Sequence, residues 1–123
     1  VLNAKHDAIE CLEGLRADGS VFYTSTLNIF EIRCGIDERE KTAQKKLEAL
    51  SVLMQNVRIL DFDGDSAGAS AQVYIQLKKM GKPPGGLDCL IAGTAIACGM
   101  DAFATKNKKH FENIEGVTKI ISY

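Results

Sequence analysis

Apolar positions recur along this chain at helical spacing, interrupted by short apolar runs of strand length. Ile9, Leu12, Leu15 and Arg16 repeat behind Asp7, which can cap a helix, and Asp18-Gly19 ends the run. Ser20 to Thr24 reads as a short strand. Ser25 or Thr26 can cap the next helix, in which Leu27, Phe30, Glu31 and Cys34 share a face. From Asp37 to Met54, Ala43, Leu47, Leu50 and Met54 line one side of a charged stretch. That is an amphipathic helix, weakly supported by an Asp37–Lys41 pair at i,i+4.

Val57 to Phe62 is apolar and strand-prone. Asp63 or Asp65 then opens a helix in which Ser70, Val73, Leu77 and Met80 align, and Gly81 stops it. Lys82 to Gly86, with the breaker pair Pro83-Pro84, is a loop, and Leu87 to Cys98 is a further helix. Asp101 to Ala104 and Val117 to Ser122 read as strands separated by a lysine-rich loop. Helices alternating with short buried strands predict an α/β fold, a parallel sheet wrapped by helices. Repeats, low-complexity segments and linkers are absent from the sequence, so residues 1–123 are read as a single domain.

Composition adds exclusions more than direction. With 123 residues, 46% hydrophobic and 25% charged, the chain can bury a real core. A net charge of −1 provides no global field for nucleic acid, so any such binding needs a local patch. No apolar run reaches membrane-spanning length and no signal-peptide pattern stands at the start, which makes a cytoplasmic location the expectation. Cys11, Cys34, Cys89 and Cys98 lie in helix-like segments without C-x-x-C spacing, and buried free thiols are expected. The first residue is Val1, not methionine, so a processed product or a fragment is expected.

Candidate chemistry centres on Asp88. It follows Gly85-Gly86-Leu87 at the start of its helix, where exposed amide groups and the positive end of the helix dipole favour a carboxylate. Glu31 on an earlier helix and Asn107 after a late strand are the other polar side chains placed to join it. Each has an ordinary reading as well. Asp88 alone can serve only its helix, Glu31 can be half-buried against Arg33 or Arg58, and Asn107 can be a turn residue.

Three segments together resemble the PIN domain, in particular the VapC-type toxins of toxin–antitoxin pairs. They are Ser25-Thr26-Leu27-Asn28-Ile29-Phe30-Glu31-Ile32-Arg33-Cys34-Gly35-Ile36, Leu87-Asp88-Cys89-Leu90-Ile91-Ala92-Gly93-Thr94-Ala95, and Ala104-Thr105-Lys106-Asn107-Lys108-Lys109-His110-Phe111. In the family the first carries a metal-binding glutamate after a threonine or serine. The second carries an aspartate before Leu-Ile-Ala-Ala-x-Ala. The third is Thr-x-Asn or Thr-x-Asp, followed by a His-Phe or Asp-Phe pair. The resemblance runs over essentially the whole chain and implies a three-layer PIN-like sandwich. It also implies an opening central strand ending in an aspartate. That strand would lie upstream of Val1, so the chain is read as lacking it and is expected to be inactive, or nearly so, as given.

The resemblance further implies metal-dependent cleavage of RNA phosphodiester bonds by a ribonuclease restrained by an antitoxin, with a homodimer as the expected assembly. Converging carboxylates repel one another unless a cation neutralises them, and Mg²⁺ or Mn²⁺ suits an all-oxygen site. Asp88 is assigned as a direct metal ligand, and Glu31 as a ligand or a base acting through water. Asn107 offers a carbonyl, and Thr105 fixes the loop or contacts phosphate. Lys82, Lys106, Lys108 and Lys109, with Lys78 and Lys79 nearby in sequence, would form a cationic border for RNA phosphates. His110 is read with Phe111 as loop packing in preference to acid–base chemistry, and His6 as surface.

Two other function classes compete. A catalytically silent PIN-like protein would bind a partner or RNA without cutting; only Glu31 and Asp88 supply formal negative charge, which weakens Mg²⁺ binding. A receiver-like phosphoacceptor domain also has an acidic Mg²⁺ pocket, but Thr105-Lys106 is a faint match to its late Thr-x-Lys. Asp61 and Asp63 are poor counterparts of its phosphoacceptor region.

Overall fold

The computed structural model describes residues 21–82, 85–100, 102–105, 108–117 and 119–122. The helix read between Asp7 and Asp18, with His6 and Cys11, lies outside the described residues, as do Pro83, Pro84, Asp101, Lys106 and Asn107. The chain divides into two compact units, Val1–Ile59 and Leu60–Tyr123, each described by itself.

In the first unit, strand β1 (Tyr23–Ser25) runs straight into helix α1 (Thr26–Cys34). Ser25 is the cap. Its extended backbone (φ −116°, ψ 159°) lets Oγ accept the Asn28 amide at 3.1 Å. The Asn28 side chain reaches back to accept the Ser25 amide at 3.1 Å, completing a capping box with asparagine in the third helical position. Strand β2 (Arg58–Leu60) pairs with β1, and the Arg58 amide donates to the Phe22 carbonyl at 3.0 Å.

Helix α2 (Ala43–Asn56) starts later than its periodicity predicts. Asp37 is drawn instead into a turn, where its carboxylate accepts from the Arg39 amide at 3.0 Å and from its guanidinium at 3.1 Å. Those donors hold the Asp37 carboxyl below its usual range. The expected Asp37–Lys41 pair is thus replaced by Asp37–Arg39, because these residues precede the helix. Along α2 most of the expected face turns inward, with Ala43 and Leu50 buried and Leu47 half-buried, but Met54, expected on the same face, is exposed near the helix end.

The second unit opens with helix α3 (Gly64–Lys79), capped by Asp63, whose carboxylate accepts from the Ser66 amide at 2.9 Å and hydroxyl at 3.0 Å. The helix stops before Gly81, and the Lys82 amide closes the end onto the Leu77 carbonyl. Helix α4 (Gly86–Ala97) buries Cys89, Ile91, Ala92, Gly93 and Thr94. Such burial around the helix explains why its sequence is apolar on nearly every side.

Strands β3 (Phe103–Thr105) and β4 (Ile120–Ser122) pair in parallel, with Phe103 opposite Ile120 and Thr105 opposite Ser122. Parallel neighbours require a crossover. The stretch expected to be only a lysine-rich loop therefore contains a short helix, α5 (Lys108–Phe111). Phe111 pins it, 5% exposed and with its ring centroid 4.6 Å from that of Phe103. Around it lies one core: Val73, Leu77, Cys89, Ala92, Phe111 and Ile114, with Ile96, Phe103, Val117 and Ile120 packed against them. Gln76 fastens the return path to α3. Its amide donates to the Asn113 carbonyl at 3.0 Å and accepts the Glu115 amide at 3.1 Å.

The α/β class expected from the alternation is therefore what the structure shows. The cysteine expectation needs correction. Cys34, Cys89 and Cys98 are free thiols, but only Cys89 is buried. Cys34 closes the exposed end of α1 and Cys98 caps α4, positions that the apolar surroundings in sequence do not reveal.

Candidate functional site

Asp88 occupies the third position of α4, after the extended cap residue Gly85. Gly85 contributes no side-chain cap, and Asp88 is the acidic residue of the first turn, where the helix dipole favours a carboxylate. A Cβ on Gly85 would stand 3.2 Å from Asp88 Oδ2, so the bare glycine leaves room for the carboxylate to lean over the helix end. The aspartate side chain is 29% exposed, open enough to meet a ligand from solvent.

His110 is the residue whose role the sequence misses. Its Nδ1 lies 2.9 Å from Asp88 Oδ2, joining α5 to the first turn of α4. The tautomer that carries its proton on Nδ1 can donate to the carboxylate, which accepts. Expected to pack the loop together with Phe111, His110 instead stays 54% exposed, and Phe111 alone enters the core. The pair His-Phe was visible in the sequence; which member faced the aspartate was not.

Cys89, next to Asp88, is not a competing thiolate. Burial first, and then the Asp88 charge, push its thiol up.

Glu31 lies on α1 in the other unit. Its side chain is exposed, as is Phe30 on the same face, at 61%. The pairing with Arg33 or Arg58 considered for a half-buried Glu31 is not found among the described residues. The Arg58 guanidinium lies over the Tyr23 ring, 6.0 Å from its centroid. Thr105 is buried at the end of β3, whereas Lys82, Lys108 and Lys109 are exposed, as are Lys78 and Lys79. Among the described residues no three His, Cys, Asp or Glu side chains cluster, and no helix is long and apolar enough to cross a membrane.

The donor chemistry fits a hard divalent cation. Within the second unit Asp88 presents a partly exposed carboxylate, and burial raises the pKa of the neighbouring Cys89 thiol, so the donor on offer there is the oxygen that Mg²⁺ and Mn²⁺ prefer.

Comparison with known proteins places this geometry in context. The tRNA(fMet)-specific endonuclease VapC of Shigella flexneri is 27% identical over 93 residues, covering 76% of this chain and 69% of that protein. The VapC ribonuclease Y4jK of Sinorhizobium fredii is 33% identical over 95 residues, covering 73% and 67%. Among solved structures, DNA-bound VapBC from Salmonella typhimurium superposes with a TM-score of 0.81 at 26% identity, covering 98% of this chain and 88% of that one. VapBC2 from Rickettsia felis, bound to a promoter DNA fragment, gives 0.83 at 22% identity over 99% and 90%, a likeness of fold. The PIN domain model matches residues 1–117, and with VapC proteins among its relatives this chain belongs to the PIN domain family, VapC type.

Proposed function

We propose that this protein is the toxin of a VapC-type pair, a Mg²⁺- or Mn²⁺-dependent endoribonuclease that works in the cytoplasm and is held inactive by its antitoxin. The observation that carries this reading is Asp88, partly open at the N-terminal turn of α4 with one oxygen held by His110. The relatives named as tRNA(fMet)-specific endonucleases and as a ribonuclease support the reaction class, and the VapBC structures support an antitoxin partner. A homodimer is the assembly proposed with it.

In this reading Asp88 and Glu31 hold the cation, and Asn107 offers it a carbonyl. The cation would supply an activated water and stabilise charge on the leaving oxygen. The chain's own contribution is positioning. Lys82, Lys106, Lys108 and Lys109 draw the RNA backbone in by charge. Thr105, buried at the end of β3 opposite Ser122 of β4, fixes the loop or contacts phosphate.

The test uses the protein encoded by its complete reading frame, freed of antitoxin and incubated with transfer RNA and Mg²⁺ or Mn²⁺. Cleavage is expected, falling at least about 100-fold, or ~2.7 kcal/mol of barrier, in Asp88→Asn and Glu31→Gln. Cleavage that survives both substitutions contradicts the assignment. Binding of RNA without any cleavage would favour the silent PIN-like protein.

A further inference from the structure

We propose that His110 is a positioning residue for the cation site: it fixes the Asp88 carboxylate so that its second oxygen is presented outward. The inference rests on the metal-site reading of Asp88 and adds to it a named partner and a reason.

An aspartate in the third helical position has an alternative. Its carboxylate can fold back to the free amides of the first turn, as the acid of a capping box does. Here Gly85 provides no competing cap and no Cβ to block that movement. Oδ2, the oxygen that lies towards Gly85, is engaged by the Nδ1–H of His110 at 2.9 Å, which holds it in place of those amides. One oxygen is thereby engaged, and the other is left to a second partner.

The histidine can do this because its neighbour is immobile. Phe111 is 5% exposed, packed against Phe103 with the rings tilted, and inside the cluster that includes Cys89, the residue after Asp88. The same packing thus holds both ends of the hydrogen bond: α5 through Phe111, and the first turn of α4 through Cys89. His110 and Asp88 are 22 positions apart in sequence, so the contact is made by tertiary structure alone. Groups that orient a metal-binding side chain from behind are typically worth about 10- to 100-fold in metal affinity.

The experiment titrates Mn²⁺ alone into the protein and follows free Mn²⁺ by electron paramagnetic resonance. His110→Ala, His110→Asn and Asp88→Asn are compared with the unaltered protein, and melting temperatures verify folding. An asparagine places its Nδ2 donor near the position of Nδ1, so it should restore what alanine loses. The expected result is affinity about tenfold or more weaker in His110→Ala, recovered to within about threefold in His110→Asn. If Asp88→Asn abolishes binding while His110→Ala leaves it unchanged, the positioning role is wrong and the metal reading stands. Folded His110→Asn that is as weak as His110→Ala also overturns it, because the donor would not be what matters. Unchanged affinity in Asp88→Asn removes the metal reading itself, and the inference with it.

Discussion

Gly93 of α4 lies directly against the backbone of Ser70 in α3. A Cβ on Gly93 would stand 2.5 Å from the Ser70 nitrogen and 2.6 Å from its Cα, and would also overlap its hydroxyl oxygen. The two helices approach this closely through small residues: Ser66, Ser70, Ala92 and Thr94 are all buried with Gly93. The interface positions the first turn of α4, and Asp88 with it.

Gly93→Ala should therefore destabilise the protein. Overpacking of this kind costs about 1–3 kcal/mol. The helix-propensity gain from alanine offsets at most about 1 kcal/mol of it. Denaturant unfolding should show a net loss. Adding Ser70→Ala should not rescue it, because the clash is with backbone as well as hydroxyl. Equal stability of Gly93→Ala and the unaltered protein would show that α3 and α4 can separate freely.

Gln76→Ala tests the clamp between α3 and the path into β4. Two hydrogen bonds are lost, to the Asn113 carbonyl and from the Glu115 amide. At about 1 kcal/mol each, partly returned by water at the exposed one, a loss of about 1–2 kcal/mol is expected. Hydrogen exchange should also quicken at the Glu115 amide more than at the amides of α4. Uniform change across both would mean the clamp has no local effect.

Acid sensitivity follows from the cap of α3. The Ser66 amide and then its hydroxyl lower the Asp63 carboxyl below its ordinary value of 3.8. A carboxyl depressed in the folded state contributes stability that is fully present above the unfolded value. That contribution is lost as pH falls through the folded value. Melting temperature attributable to this group should be flat above pH 3.8 and decline below it. Asp63→Asn, which cannot titrate, should lessen that decline; an unaltered acid limb would exclude the cap as its source.

Much of the fold was legible because local rules and packing agreed. The periodicity of Val73 and Leu77, the cap at Asp63, the stop at Gly81 and the Asp88 helix all carry information within a few residues. Asp37 shows where this fails. An i,i+4 pattern predicted a helix, but the nearer Arg39 captured the carboxylate in a turn. Short α5 was missed for a related reason: four residues have no period to read, and Phe111 is fixed by Phe103 rather than by its sequence neighbours. At the site, Asp88 could be singled out by its place in a helix. The role of His110 could not, since nothing local indicates which residue will face a carboxylate on another element. Gly93 is similar. It stands where the family resemblance has alanine, and only the Ser70 backbone explains the difference.

Asp88 and Glu31 are proposed to hold one divalent ion. An anomalous difference map from Mn²⁺-soaked crystals of the protein tests it most directly. The prediction is a single strong peak with carboxylate oxygens of both residues at about 2.1 Å. A peak bound by Asp88 while Glu31 points elsewhere, or no peak at either, would contradict it.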